Sequence, residues 1–155
     1  MIIKGREEDI PKIIEIATKL LLRSNNKDVP VDRLQTFQTM RHFIRSPDKA
    51  LLCAVHNGVY TGILMVAAET FWWDNPRKGR RYVTDWCFYS ERAGDGLKMM
   101  KTATKWAWAL PRVVEVNICR NFTNNEDRAD IVFDKAGFTR AGAMYTAKKP
   151  MENLT

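Results

Sequence analysis

The sequence predicts a single mixed α/β domain, residues 1–155, with a sheet in its middle. Three observations carry this. Runs with apolar residues at helical spacing alternate with β-branched runs in the order β-α-α-β-β-β-α-β-α-β. Asn57–Gly58 joins two strand-like runs, a strong signal for a tight hairpin. No linker, repeat or low-complexity segment divides the chain, and 155 residues at 45% hydrophobic content suffice for one core.

Residues 2–4 are apolar enough for a short first strand. Asp9 is placed to cap the next helix, and Pro11 is tolerated in its first turn, where no intrahelical N–H is needed. Ile10, Ile13, Ile14, Ala17, Leu20 and Leu21 fall on one helical face. SNNKDVP breaks that helix. Asp32 caps a second one, with Leu34, Phe37, Met40 and Ile44 at helical spacing, and SPDK ends it. Residues 50–70 make the hairpin. FWWDNPRKGRR is a basic, aromatic loop, and YVTDWCFY is a strand. A glycine segment then leads into a helix that stops before Pro111, and RVVEVNIC is a further strand. NFTNNEDRADIVFDKAG supplies a loop and a helix closed by Gly137; FTRAGAMYTAKK supplies the last strand.

No apolar run approaches the roughly 18–20 residues of a membrane span, so no membrane partner is expected. MIIKGREEDIPKIIEI carries acids and a proline too early for a secretion signal. Cys53, Cys87 and Cys119 are scattered and odd in number, and His42 and His56 are the only histidines. The expectation is three reduced thiols in the cytoplasm, acting as core residues rather than nucleophiles, and no metal site. Lys and Arg number 25 against 18 Asp and Glu, a net charge of +7. That attracts anions in general. No zinc-finger spacing or RNA-binding aromatic signature turns the attraction toward nucleic acid.

In SERAGDGLKMMKTATKWAWAL, Gly94 and Gly96 stand at the start of a helix. Two glycines permit positive φ and close backbone approach, which suits either a packed turn or a phosphate cradle. The first amides of the helix lack intrahelical acceptors and can receive a phosphate. Lys98 and Lys101 oppose the dipole so near an N-terminus and make sense beside an anion. Arg92 and Lys98 are candidate phosphate partners. Glu91 and Asp95 argue the other way, and Asp95 can act as a simple cap.

ERAGDGLKMMKTATKWA resembles the pyrophosphate loop, Q/R-x-x-G-x-G/A, of the GNAT superfamily of acetyl-CoA-dependent N-acyltransferases. RADIVFDKAGF resembles that family's closing helix, A-x-x-x-Y-x-K-x-G-F. Gly94 and Gly96 match the loop glycines, and Ala129, Lys135, Gly137 and Phe138 match the closing motif. Glu91 stands where the family prefers Gln or Arg, and Phe133 where it often has a thiol-protonating tyrosine. Asn125 lies one residue before the usual asparagine position, which Glu126 fills. The resemblance implies a mostly antiparallel central sheet flanked by helices, and acetyl-CoA bound by Trp86, Cys87, Phe88, Arg92, Ala93, Gly94, Asp95, Gly96, Lys98, Asn125 and Phe133.

It also implies that the middle of YVTDWCFY lies beside the thioester. An amine acceptor arrives protonated, with a reference pKa near 10.4, so a base is needed. Asp85 is the acid in that strand, and alternation puts it on the face of Val83 and Cys87. Glu69 is the rival base. Tyr145 and Tyr89 are candidate acids in place of the missing tyrosine. The expected activity is direct acetyl transfer to a primary amine, on a small molecule or a protein. A catalytically silent binding protein of the same fold and a nucleic-acid modifier are the alternatives. The loop from Trp72 to Arg81 suits contact with the acceptor, or with a partner such as a second copy.

Overall fold

The computed structural model describes residues 1–23, 27–119 and 126–142. Strand β1 (Ile2–Lys4) precedes helices α1 (Ile10–Arg23) and α2 (Arg33–Arg45). Strands β2 (Lys49–His56), β3 (Val59–Thr70) and β4 (Arg81–Ser90) follow, then helix α3 (Asp95–Trp108), strand β5 (Val113–Asn117) and helix α4 (Glu126–Lys135). The described sheet runs β1-β2-β3-β4-β5. Its first three pairings are antiparallel, and β4–β5 is parallel, with α3 as the crossover. Residues 138–142 form no strand; the rest of the expected last strand lies outside the described residues.

The two faces of the sheet bury separate cores. Ile10, Ile13, Ile14, Ile16 and Leu20 of α1, with Met40 and Phe43 of α2, pack on Cys53, Ile63, Met65, Ala67 and Tyr89. On the other face Met99, Ala103 and Ala107 of α3 pack on Leu52, Leu64, Val66, Val83 and Val116. Full burial of each large apolar side chain contributes about 1.5–3 kcal/mol. Alternation along β2 and along β3 from Ile63 to Ala68 makes this two-sided core possible.

Local chemistry sets several elements. Asn57 (φ 51) and Gly58 (φ 79) turn the β2–β3 hairpin, as the dipeptide predicts. Asp32 accepts from the Gln35 N–H at 2.9 Å, capping α2. Asp9 does not cap α1. It ends a 3-10 turn, Glu7–Asp9, and its buried carboxylate accepts from Arg6 Nε at 2.9 Å. Leu34 is exposed, and Phe43 takes the inward position in α2 instead. Gly137 (φ 86) closes α4: its N–H donates to the Asp134 carbonyl, and the Phe138 N–H to that of Phe133.

Candidate functional site

Two irregularities in β4 shape the site. Across β3, Met65 pairs with Cys87 and Val66 with Asp85, which leaves Trp86 as an extra, bulged residue. The bulge reverses the side-chain phase. Asp85 keeps the α3-side phase of Val66 and Val83, but Cys87 packs against the α1/α2 core. The expectation that Cys87 shares the face of Asp85 therefore fails, because alternation assumes an unbroken ladder. Across β5, pairing ends at Thr84–Asn117. There β5 ends and β4 runs on without it, a fork in the ladder.

Asp85 sits at this fork. Its carboxylate accepts from the Cys119 N–H at 2.8 Å, continuing the contact one residue past the ladder. Burial pushes the carboxyl above the ordinary aspartate value, against the lowering effect of the Cys119 N–H. A raised carboxyl at a fork is suited to taking a proton. Glu69 pairs with Tyr82, three positions along β3, in the alternation phase of Met65 and Ala67. The two candidate bases thus lie on opposite faces. Tyr89 packs in the α1/α2 core and its hydroxyl accepts from Arg23. Tyr145 and Asn125 lie outside the described residues.

The glycine segment follows β4 directly. Gly94 is in the left-handed region (φ 83) and is the N-cap of α3. A Cβ there would meet nothing within 4 Å, so the position faces open space. A Cβ at Gly96 would meet the Phe88 ring at 3.4 Å. The Lys98 N–H makes the first α-helical bond, to the Gly94 carbonyl at 3.1 Å. The amides of Ala93, Gly94, Gly96 and Leu97 find no acceptor among the described residues. Free N–H groups at a helix start, open in front of Gly94, form a cradle of a kind that can receive an anion. Arg92 and Lys98 flank it, both without an ion-pair partner among the described residues.

The two nearby acids are both accounted for inside the protein. Glu91 pairs with Lys19 of α1 at 3.1 Å. Asp95 does not cap α3 and does not face the cradle. It is 2% exposed, and His56 Nε2 and Thr61 Oγ1 donate to its carboxylate at 2.9 and 3.1 Å. Burial raises its carboxyl, but those hydrogen bonds and the charges of His56 and Arg92 hold it below the usual aspartate value. The Asp95 side chain thus ties the start of α3 to β2 and β3. Sequence reasoning missed Lys19, His56 and Thr61. Each lies far along the chain, and no local signal marks them.

The other predicted residues divide by face. Phe88 packs on the α3-side core and under Gly96. Trp86 is 56% exposed, edge-on to Phe43 with centroids 5.2 Å apart, and Lys49 Nζ lies 5.3 Å from its ring. Phe133 stacks edge-to-face on Phe138 at 5.8 Å, the apolar contact that accompanies the helix-closing turn. In the β3–β4 loop, Phe71 lies 4.9 Å from Tyr82 and 5.0 Å from Trp73, leaving Trp72 88% and Trp73 62% exposed. The three cysteines are unpaired. Burial pushes Cys53 and Cys87 up to about 12, and raises Cys119 too, so they rest as neutral thiols.

No family model and no curated protein matches the sequence. Solved structures do match the fold. An acetyltransferase of the GNAT family from Streptococcus pneumoniae superposes with a TM-score of 0.70 at 15% identity, over 96% of this chain and 92% of that one. A predicted acetyltransferase from Clostridium acetobutylicum, solved with acetyl-CoA, gives 0.69 at 14%, over 100% and 99%. AAC(6')-Iy, in complex with the bisubstrate analogue CoA-S-monomethyl-acetylneamine, gives 0.71 at 11%, over 97% of both chains. No helix among the described residues is long and apolar enough to cross a membrane. The described five-stranded sheet, whose β4–β5 ladder ends at Thr84, with a glycine segment leading into α3, has the fold of the GNAT acetyltransferases.

Proposed function

We propose that the protein is an acetyl-CoA-dependent N-acetyltransferase that transfers the acetyl group directly to a primary amine. One observation carries the reading: β4 runs on past the end of its β5 ladder at Thr84 and leads directly into the acceptor-free amides at the start of α3. A diphosphate fits the cradle, because Gly94 leaves it open and Arg92 and Lys98 supply positive charge. Acetyl-CoA supplies an activated thioester. The backbone of Trp86 to Phe88 lies past the end of the β5 ladder, and those of its amides that point away from β3 are available to polarise a carbonyl. Asp85, raised by burial, takes the proton of the amine. No tyrosine is required at Phe133, since a thiol is acidic enough for water to protonate the departing thiolate.

The acceptor meets the loop between β3 and β4 in this reading, where Trp72 and Trp73 are exposed and Arg77 and Lys78 stand beside them. Calorimetry with acetyl-CoA tests the first half of the proposal, and thiol release with a panel of amines tests the second. Absence of acetyl-CoA binding overturns it. Binding without transfer to any amine would favour a silent binding protein, for which the commitment of Phe133 to Phe138 is the structural support.

A further inference from the structure

Trp86 is the bulged residue of β4, next in the chain to Asp85. A bulge re-aims the side chain it carries. The Trp86 ring stands exposed, edge-on to Phe43. Lys49, the first residue of β2, brings its ammonium to the same two rings: Nζ lies 4.9 Å from the Phe43 centroid and 5.3 Å from that of Trp86. Ring faces attract a cation but leave its N–H donors open to a charged acceptor. No carboxylate among the described residues pairs with Lys49. Asp48 is committed to Arg81 at 2.9 Å, and Glu69, in the alternation phase of Ala67 opposite Lys49, makes no ion pair with it.

Lys49 and Phe43 also line a cleft of about 290 Å³, together with Lys4, Arg45, Ser46 and Trp106. None of its described lining residues is acidic. Lys4 has no ion-pair partner among the described residues. Arg45 is held by Glu7, which accepts from its Nε at 2.6 Å and its Nη2 at 3.0 Å. The end of α2 brings roughly half a negative charge to the cleft. Glu7 brings one more, which it shares with Arg41. The three cations Lys4, Arg45 and Lys49 outweigh both. The volume suits a small organic molecule, at the lower end of ligand pockets, roughly 300 Å³.

We propose that the amine acceptor is a small molecule that also carries a carboxylate, and that Lys49, backed by Phe43 and Trp86, is the specificity-determining residue that binds this group at the cleft. The inference rests on the acetyltransferase reading, with the reaction at β4 past Thr84. The acceptor's body covers the exposed Trp86 ring, its acid seats on the Lys49 ammonium, and its amine points to the fork. The Asp48–Arg81 pair joins the start of β2 to the start of β4, where the β3–β4 loop ends. The basic loop and Lys49 therefore belong to one end of the sheet.

The test is acetyl transfer by the full chain to matched amines that differ only in the acid: para-(aminomethyl)benzoate and δ-aminovalerate, each against its own carboxamide. Thiol release gives kcat and KM. Wild type should favour each carboxylate by roughly tenfold or more in kcat/KM, and added salt should narrow the gap. Lys49→Met keeps an apolar stem over the rings. It should lose the preference through a raised KM for the carboxylates, with kcat within about twofold of wild type. Lys49→Arg should restore the preference, and calorimetry should give both variants the wild-type affinity for acetyl-CoA. Equal kcat/KM for acid and amide in wild type overturns the proposal and leaves the acetyltransferase reading standing. So does a preference that survives Lys49→Met, or transfer to other amines with none to either carboxylate. Failure to bind acetyl-CoA, or binding without transfer to any amine, overturns that reading and this proposal together.

Discussion

Replacing Asp85 by Asn separates its two possible roles, because the amide keeps the structural contact and loses the chemistry. The Asn side-chain oxygen can still accept the Cys119 N–H, which Asp85 holds at 2.8 Å. The fork should therefore keep its shape. The folded-state carboxyl is raised by burial, so the folded protein binds a proton more readily than the unfolded chain does. Its ionisation costs stability as pH rises from the unfolded value through the raised folded value, and that cost persists at neutral pH. Each unit of such a shift is worth about 1.4 kcal/mol. Asp85→Asn should thus be as stable as wild type at pH 7, or more so, and should lose any stability advantage in acid. Removal of a general base costs on the order of 10²–10⁴ in rate. Turnover of an amine acceptor should fall by that order at pH 7 while the acetyl-CoA dissociation constant changes little. The deficit should shrink toward pH 9.5, where more of the amine is already free. Thiol release across pH 6–9.5, with thermal unfolding of both proteins, gives the two curves. A wild-type pH–rate profile in the mutant would remove Asp85 as base. Loss of stability at unchanged turnover would make it purely a strand-end clamp.

Gly94→Ala should cost about 1–2 kcal/mol of stability through its left-handed φ of 83. Its methyl also enters the open cradle, so calorimetry should show coenzyme A binding weakened about tenfold or more. Gly96→Val presses on Phe88, whose ring lies 3.4 Å from the new Cβ, and should weaken the same binding with the fold retained; unchanged affinity in both variants removes the cradle. Trp73→Ala and Arg80→Ala should alter the KM for the acceptor and not that for acetyl-CoA, with Arg80→Ala also reducing the salt sensitivity of an anionic acceptor. Unchanged kinetics with a changed mass in light scattering would assign the loop to a partner instead. Phe133→Tyr should leave thermal stability near wild type, since the ring contact with Phe138 at 5.8 Å is kept, and a rise in turnover would show that the hydroxyl reaches the leaving thiol.

Short-range chemistry made much of this protein legible from its sequence. Asn57–Gly58 turns the hairpin, Asp32 caps α2, Gly137 closes α4, and the isoleucines of α1 fall at core spacing. Each is decided by residues a few positions apart. Gly94 and Gly96 also marked where the chain turns into α3, with open space in front of Gly94. What the sequence left open was which acids oppose an anion there. Glu91 is matched by Lys19, 72 residues away, and Asp95 by His56, 39 residues away, so neither acts as a free charge at the loop. The sheet decided that, by bringing β2 and β3 beneath the start of α3 and α1 beside Glu91. The bulge at Trp86 lies equally beyond a pattern of alternation. It exists only in the register of β4 against β3, and it alone puts Cys87 and Asp85 on opposite faces of the sheet. Asp85 itself could be singled out as a carboxylate in an apolar strand. Its position where β4 leaves β5 follows from where a parallel ladder stops, which only the folded sheet defines.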